Sequence, residues 1–242
     1  MKILNLITIL FLLNVAEQPT FNSKIKHGEI TYSVYISNFD KSVKKDANQE
    51  VKEQINQAND EIVKIQFLLK FDDKQSIFEV INKLTVGNDN QNLGLQIANA
   101  IVGTTDKYYK NTLLKEKLKF TEKLGEKIIY DLPYKEFEWI LTNESKKING
   151  LLCYKAYTKV KQLNEVTNIV KTFQPTAWYC PSIPLSYGPR GVDGLPGLVL
   201  EASFNGKVTF VVDKIDFNIK PIIKNNVFNG KRTKRIIYEK DI

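Results

Sequence analysis

The chain has 242 residues and a mass of 27.8 kDa, with 43% hydrophobic and 26% charged residues and a formal net charge of +8. That composition suits one large globular domain or two small ones and excludes disordered, collagen-like and coiled-coil chains. One histidine and two cysteines cannot build a zinc site of the usual kind, and only His27 could serve a nucleophile as its base.

The chain opens with Lys2, an apolar run over 3–13 and Asn14-Val15-Ala16, a charged, apolar and small-residue order that reads as a signal peptide over residues 1–16. The run is shorter than the roughly 20 residues a membrane helix needs. No cysteine lies near the cleavage position, which argues against a lipid anchor there. The mature chain is then a single β-rich domain over 17–242, exported to the periplasm or the cell surface.

Alternating apolar and polar residues predict a strand over Glu29–Phe39, with Ile30, Tyr32, Val34 and Ile36 on one face. The polar stretch Lys41–Asp60 predicts an exposed helical insertion. A hairpin follows, from Ile62–Phe71 through Asp72-Asp73-Lys74 into Gln75–Ile81. Asn92–Val102 has Leu93, Ile97, Ala100 and Ile101 at helical spacing and reads as a short helix, weakened by its glycine and asparagines. Strands are then expected over 106–110, 113–121, 127–131, 137–142, 151–160 and 169–179. The last two, 198–204 and 207–217, flank Asn205-Gly206, a strong hairpin signal. Strands at such close intervals predict a mainly β fold: one antiparallel, curved or bowl-like sheet or sandwich with one short helical insertion. The basic run Lys231–Arg235 reads as a solvated tail; attraction to an anionic partner is its alternative.

The densest signal lies over 175–201, which holds five of the eight prolines and four of the twelve glycines. Proline fixes φ and glycine permits positive φ, so together they specify an irregular path. Trp178, Tyr179, Ile183, Leu185 and Tyr187 supply apolar surface to hold it. Two readings stand side by side: a loop capping one end of the β domain, or a contact surface carried by Trp178, Tyr179, Tyr187 and Arg190.

Within this stretch Gly194-Leu195-Pro196-Gly197-Leu198-Val199, followed by Glu201, resembles the motif that names the GLPGLI family, with valine for the last isoleucine. Ile148-Asn149-Gly150, Cys153 and Lys155-Ala156 resemble a second family element, and Ala177–Pro184 a third, with Cys180 for threonine and Ser182 for glutamate. The resemblance implies a β-rich protein of bacterial envelopes, of a kind found alongside TonB-dependent outer-membrane transporters. Some members are similar to the bowl-like N-terminal domain of secreted glycan-cleaving enzymes. It implies no activity.

Cys153 and Cys180 both fall on predicted strands of an exported chain and are expected to pair as a disulfide, with two buried thiols as the alternative. The carboxylate pairs Asp72-Asp73, Glu136 with Glu138, and Asp213 with Asp216 read as solvated strand or turn positions. No catalytic, cofactor or metal residues are assigned. The expectation is a non-enzymatic accessory or binding protein whose partner is an outer-membrane transporter or another envelope protein, with no nucleic acid. The alternatives are a glycan- or peptide-processing enzyme and a carrier of an apolar ligand.

Overall fold

The computed structural model describes residues 25–37, 48–81, 92–123, 125–164, 169–204, 206–224 and 230–234. The expected signal peptide and the start of the expected helical insertion lie outside them. The strands are β1 (Gly28–Ile36), β2 (Gln66–Phe71), β3 (Gln75–Val80), β4 (Lys107–Asn111), β5 (Glu116–Lys123), β6 (Glu126–Asp131) and β7 (Ile140–Ile148). They continue with β8 (Leu151–Tyr157), β9 (Val160–Asn164), β10 (Ile169–Phe173), β11 (Thr176–Cys180), β12 (Leu198–Ser203), β13 (Val208–Asp216) and β14 (Lys231–Lys234). Two α-helices, α1 (Gln49–Ile62) and α2 (Leu93–Val102), and a 3-10 turn over Pro189–Gly191 complete the described elements.

Twelve strands form one sheet in the order β14-β6-β5-β4-β3-β2-β1-β13-β12-β11-β8-β7. The order ends at β14 and β7, so the sheet is open and the mainly β expectation holds. Its pairs are antiparallel except β14 on β6, which is parallel. The basic run is therefore a sheet edge and not a free tail. Arg232 grips Asp131 at 2.6 Å and Glu116 at 3.0 Å, which gives the short strand its hold.

The register aligns Ile30, Tyr32 and Val34 with Phe67 and Leu69 on one side and with Phe210 and Val212 on the other. Phe78 and Val80 extend the same inner face. Fully buried aromatics interlock here: Phe67 stacks on Phe78 at 5.2 Å, and Phe210 meets both edge-on. Such ring pairs add about 0.5–1.5 kcal/mol each beyond the area they bury. Tyr32 is also fully buried, and its hydroxyl donates to the Val199 carbonyl at 2.6 Å, tying the central strand to β12.

Several local expectations shift. Residues 62–65 close α1 instead of starting a strand, because Ile62 and Ala58, at helical spacing, are buried in the core. Among the described residues the helical content is two α-helices and a 3-10 turn, not one insertion. The two α-helices pack on each other closely: a Cβ at Gly94 would meet Gln57. Asn48 and Asn92 cap their N-termini by accepting from Val51 and Leu95. The strand expected over 137–142 starts only at Ile140, because Phe137 packs on Trp139 and Trp139 turns to the Asp193 carbonyl. The strand expected over 169–179 breaks at Gln174-Pro175, where proline cannot donate to the ladder.

Candidate functional site

The motif-rich segment runs from the end of β11 to the start of β12. It turns inward over the inner face: Ile183, Tyr187, Val192, Asp193 and Leu195 are all buried. Its backbone is tied at both ends. The Leu198 N–H donates to the Ile183 carbonyl and the Val199 N–H to the Tyr187 carbonyl, each at 2.9 Å. A Cβ at Gly197 would collide with the Cys180 carbonyl, so the last motif glycine is required by a close backbone approach. Leu195 joins a cluster with Ala156, Ala177, Tyr179, Val199 and Ala202, where small side chains on three strands make room for it. Leu198 is buried in the main core, Pro196 is exposed on the surface of the turn, and Glu201 pairs with Lys146 at 2.6 Å.

Of the four proposed contact residues, Tyr179 and Tyr187 are buried. Tyr187 packs on Phe71 and Tyr179 on Tyr154. Only Trp178 and Arg190 keep accessible surface. They stand on opposite faces of the sheet. Trp178 shares its face with Lys155 and Glu201 by register, and Lys146 lies over its ring at 4.4 Å. Arg190 packs over Phe204 and Phe210 and faces Asp106 at 3.8 Å. Its φ of 51° is left-handed, a strained conformation for arginine that these contacts hold.

Beneath the segment lies a row of charge that the sequence reading did not single out. The β4–β5 register sets Lys110 opposite Lys117 and Tyr108 opposite Lys119, on the face that carries Phe78. Three lysines on an inner face need anions. Asp193 supplies one, with Oδ2 at 3.2 Å from Lys110 and 3.3 Å from Lys117. Glu136 reaches Lys117 at 2.7 Å and Asp106 reaches Lys119 at 2.6 Å, while Thr121 donates to Asp106. Burial pushes the Lys110 ammonium below its ordinary range and Lys117 adds to this, while Asp193 opposes both. Beside Lys110, Lys117 and Asp193 lies a cavity of about 10 Å³, also lined by Ser76, Tyr108 and Tyr187, with room for about one water. The usable signal was the alternation Lys117-Leu118-Lys119-Phe120, in which the lysines share the parity of the inner face once β4 is in register.

The carboxylate pairs do not face one another across a cleft. Asp72 accepts from the N–H groups of Lys74 and Gln75 and makes the hairpin turn. Asp213 accepts from Gln66, and Glu136 belongs to the buried row. His27 is half-buried just before β1.

Cys153 and Cys180 are free thiols, so the expected disulfide is absent from this structure. The β8–β11 register runs straight toward them, and both are buried. The pair is satisfied by hydrogen bonding instead. The Cys153 thiol donates to the Leu151 carbonyl at 3.5 Å, and Cys180 meets the Ser182 hydroxyl at 3.0 Å. The neighbouring Cys153 thiol, with Ser182 beside it, holds the Cys180 thiol down to about 6 against its burial, and the proximity of Cys180 together with burial pushes the Cys153 thiol up.

Residues 139–201 match the model of a family described as a protein of unknown function (Porph_ging). The match is about a quarter of the chain and falls on the motif-bearing stretch; the GLPGLI name rests on the motif alone. No curated protein matches the chain. Two solved structures of PNGF-II, in space groups P21 and C2, superpose with a TM-score of 0.52 each at 17% and 18% identity. The alignments cover 87% of this chain but 32% and 31% of those chains, so this chain spans about a third of their length. At that identity the likeness is one of fold. LprF from Mycobacterium bovis aligns with a TM-score of 0.28 at 8% identity over 84% of this chain and 91% of its own, and nothing about this chain follows from it. No described helix is long and apolar enough to cross a membrane. What the comparisons establish is a large open β-sheet, shared with part of a longer solved chain, whose motif stretch matches a family of unknown function.

Proposed function

We propose that this chain is an exported, non-enzymatic accessory or binding protein of the bacterial cell envelope that works beside an outer-membrane transporter of the TonB-dependent kind. The observation that carries the reading is that the same fold recurs as about a third of a longer chain, which suits a module acting with something else. The GLPGLI-like motif supplies the compartment and the class of partner. The segment 181–197 acts mainly as scaffold in this reading, because its aromatic and aliphatic anchors are spent on the core. The contact surface is the outer patch around Trp178, where Lys146, Lys155 and Glu201 surround a half-buried indole. Half-exposed tryptophan flanked by charge is typical of an interface anchor.

The test is recovery of the C-terminally tagged protein from native envelopes after mild cross-linking, with mass spectrometry of what accompanies it. A transporter in near-equal amount is the expected result, reduced at least tenfold by Trp178→Ala in a protein of unchanged circular dichroism. Recovery of the wild-type chain alone would overturn the reading.

A further inference from the structure

Between β8 and β11 the chain leaves the large sheet and returns as a separate two-stranded ladder, β9 with β10. The two ladders share one register. Tyr157 stands opposite Thr176, the Thr158 N–H donates to the Pro175 carbonyl, and Val160 then stands opposite Phe173 and Asn164 opposite Ile169. One hairpin therefore begins inside the sheet and continues past it without a slip. Its distal part has no third strand beside it among the described residues. Residues 169–172 are all exposed, including Ile169 at 54% and Val170 at 43%. A two-stranded ribbon open on both faces is marginal in water.

The arm carries a local excess of positive charge. Lys64, Lys70, Lys107, Lys110, Lys117, Lys119, Lys146 and Lys155 each meet a carboxylate within 4 Å. Lys159, Lys161 and Lys171 pair with no described residue, and the sequence from 158 to 175 holds these three against one acid, Glu165. Ile169 and Val170 are adjacent on one strand, so their side chains point to opposite faces of the ribbon. Aliphatic groups on both faces, with unpaired lysines beside them, do not offer one flat patch to a folded partner. They suit a medium that surrounds the arm, with apolar depth and an anionic rim.

We infer that the β9–β10 arm docks this protein on an anionic phospholipid bilayer, with Ile169 and Val170 entering the interface and Lys159, Lys161 and Lys171 on lipid phosphates. The inference stands apart from the transporter reading, since it rests on the arm alone. Lysines near an anionic surface add enough affinity that removing three should cost about 100-fold.

The test is co-sedimentation of the full chain with vesicles of phosphatidylglycerol and phosphatidylethanolamine, against phosphatidylcholine alone. Binding to the anionic vesicles that weakens steeply from 50 to 500 mM salt is expected. Replacing the three lysines by glutamine should weaken it by about 100-fold, and Ile169→Asp with Val170→Asp by tenfold or more. A Val170→Trp variant, made in the otherwise intact chain, should blue-shift and be quenched by brominated lipid; this readout survives any misfolding of the other variants. Absent binding, equal binding to neutral vesicles, an unquenched Trp, or binding to polyglutamate without binding to vesicles would each overturn the inference.

Discussion

Replacing Asp193 by asparagine should be among the most costly single changes on the inner face. The side chain is 4% exposed and its Oδ2 serves both Lys110 and Lys117, at 3.2 and 3.3 Å. At an effective dielectric constant near 20, each such contact is worth roughly 5 kcal/mol before desolvation is counted. Asparagine keeps the shape, and the Asp193 backbone carbonyl can still accept from Trp139 at 2.7 Å. The negative charge is lost. Lys117 retains Glu136, but among the described residues Lys110 is left with the Tyr134 ring, 5.0 Å away. Breaking one side of a buried pair typically costs about 3–5 kcal/mol. Urea unfolding followed by tryptophan fluorescence should show a loss of that size at pH 7. The loss should shrink as pH rises toward 10: Lys110, already held below its ordinary range, can then shed its proton and its unpaired charge. Adding Lys110→Met to Asp193→Asn should recover part of the loss. Salt should change little, because buried pairs are poorly screened. A loss under about 1 kcal/mol, or one erased by 0.5 M salt, would refute the account of a desolvated charge row.

Two further predictions concern pH. Burial alone would raise the Glu79 carboxyl, but Lys107 at 2.6 Å and Lys70 at 3.4 Å outweigh it and hold it below the usual range. Its contribution is therefore complete above the unfolded carboxylate range and is lost as pH falls through the lowered folded value. Glu79→Gln should cost about 2 kcal/mol at pH 7 and progressively less below pH 4, read from urea midpoints of both proteins; a cost that does not shrink would refute the assignment. The Cys153–Cys180 pair should stabilise most near pH 8. Cys180 is held down to about 6, so its contribution grows as pH rises from there toward the ordinary thiol value of about 8.5. Cys153 is held up, so its proton is retained when the unfolded chain sheds it, and the contribution falls again above that. The stability difference between wild type and Cys153→Ala, measured at pH 6, 8 and 9.5 under reducing conditions, should peak at the middle value; a flat profile would refute it.

Much of the sheet was legible because its inner face alternates strictly. Ile30, Tyr32 and Val34 announce β1, and Asp72 makes the turn that its spacing suggests. What could not be read was long-range pairing. β14 is a run of basic residues with no apolar alternation, and it becomes a strand only because Asp131 and Glu116 of distant strands receive Arg232. The buried lysines were hidden for the same reason. Lys110 and Lys117 look like solvent residues until the register sets them opposite each other beneath Asp193. The motif segment was recognised as ordered, but composition could not divide its aromatics. Tyr187 went to the core and Trp178 to the outer face through strand parity and the inward course of the loop.

The pairing of β1 with β13 also bears on when this chain can fold. β1 is a central strand, and Ile30 meets Ile215 while Val34 meets Phe210. Its hydroxyl tie from Tyr32 to Val199 spans a comparable length of chain. Until those distant residues have been synthesised, the first strand lacks half of its ladder and a large part of its apolar cover. Contacts this far apart in sequence slow folding, because loop closure must precede the gain from pairing. A ribosome would thus have to release the chain through Asp216 before the native sheet could close, leaving an interval in which the chain is still extended enough to be threaded elsewhere.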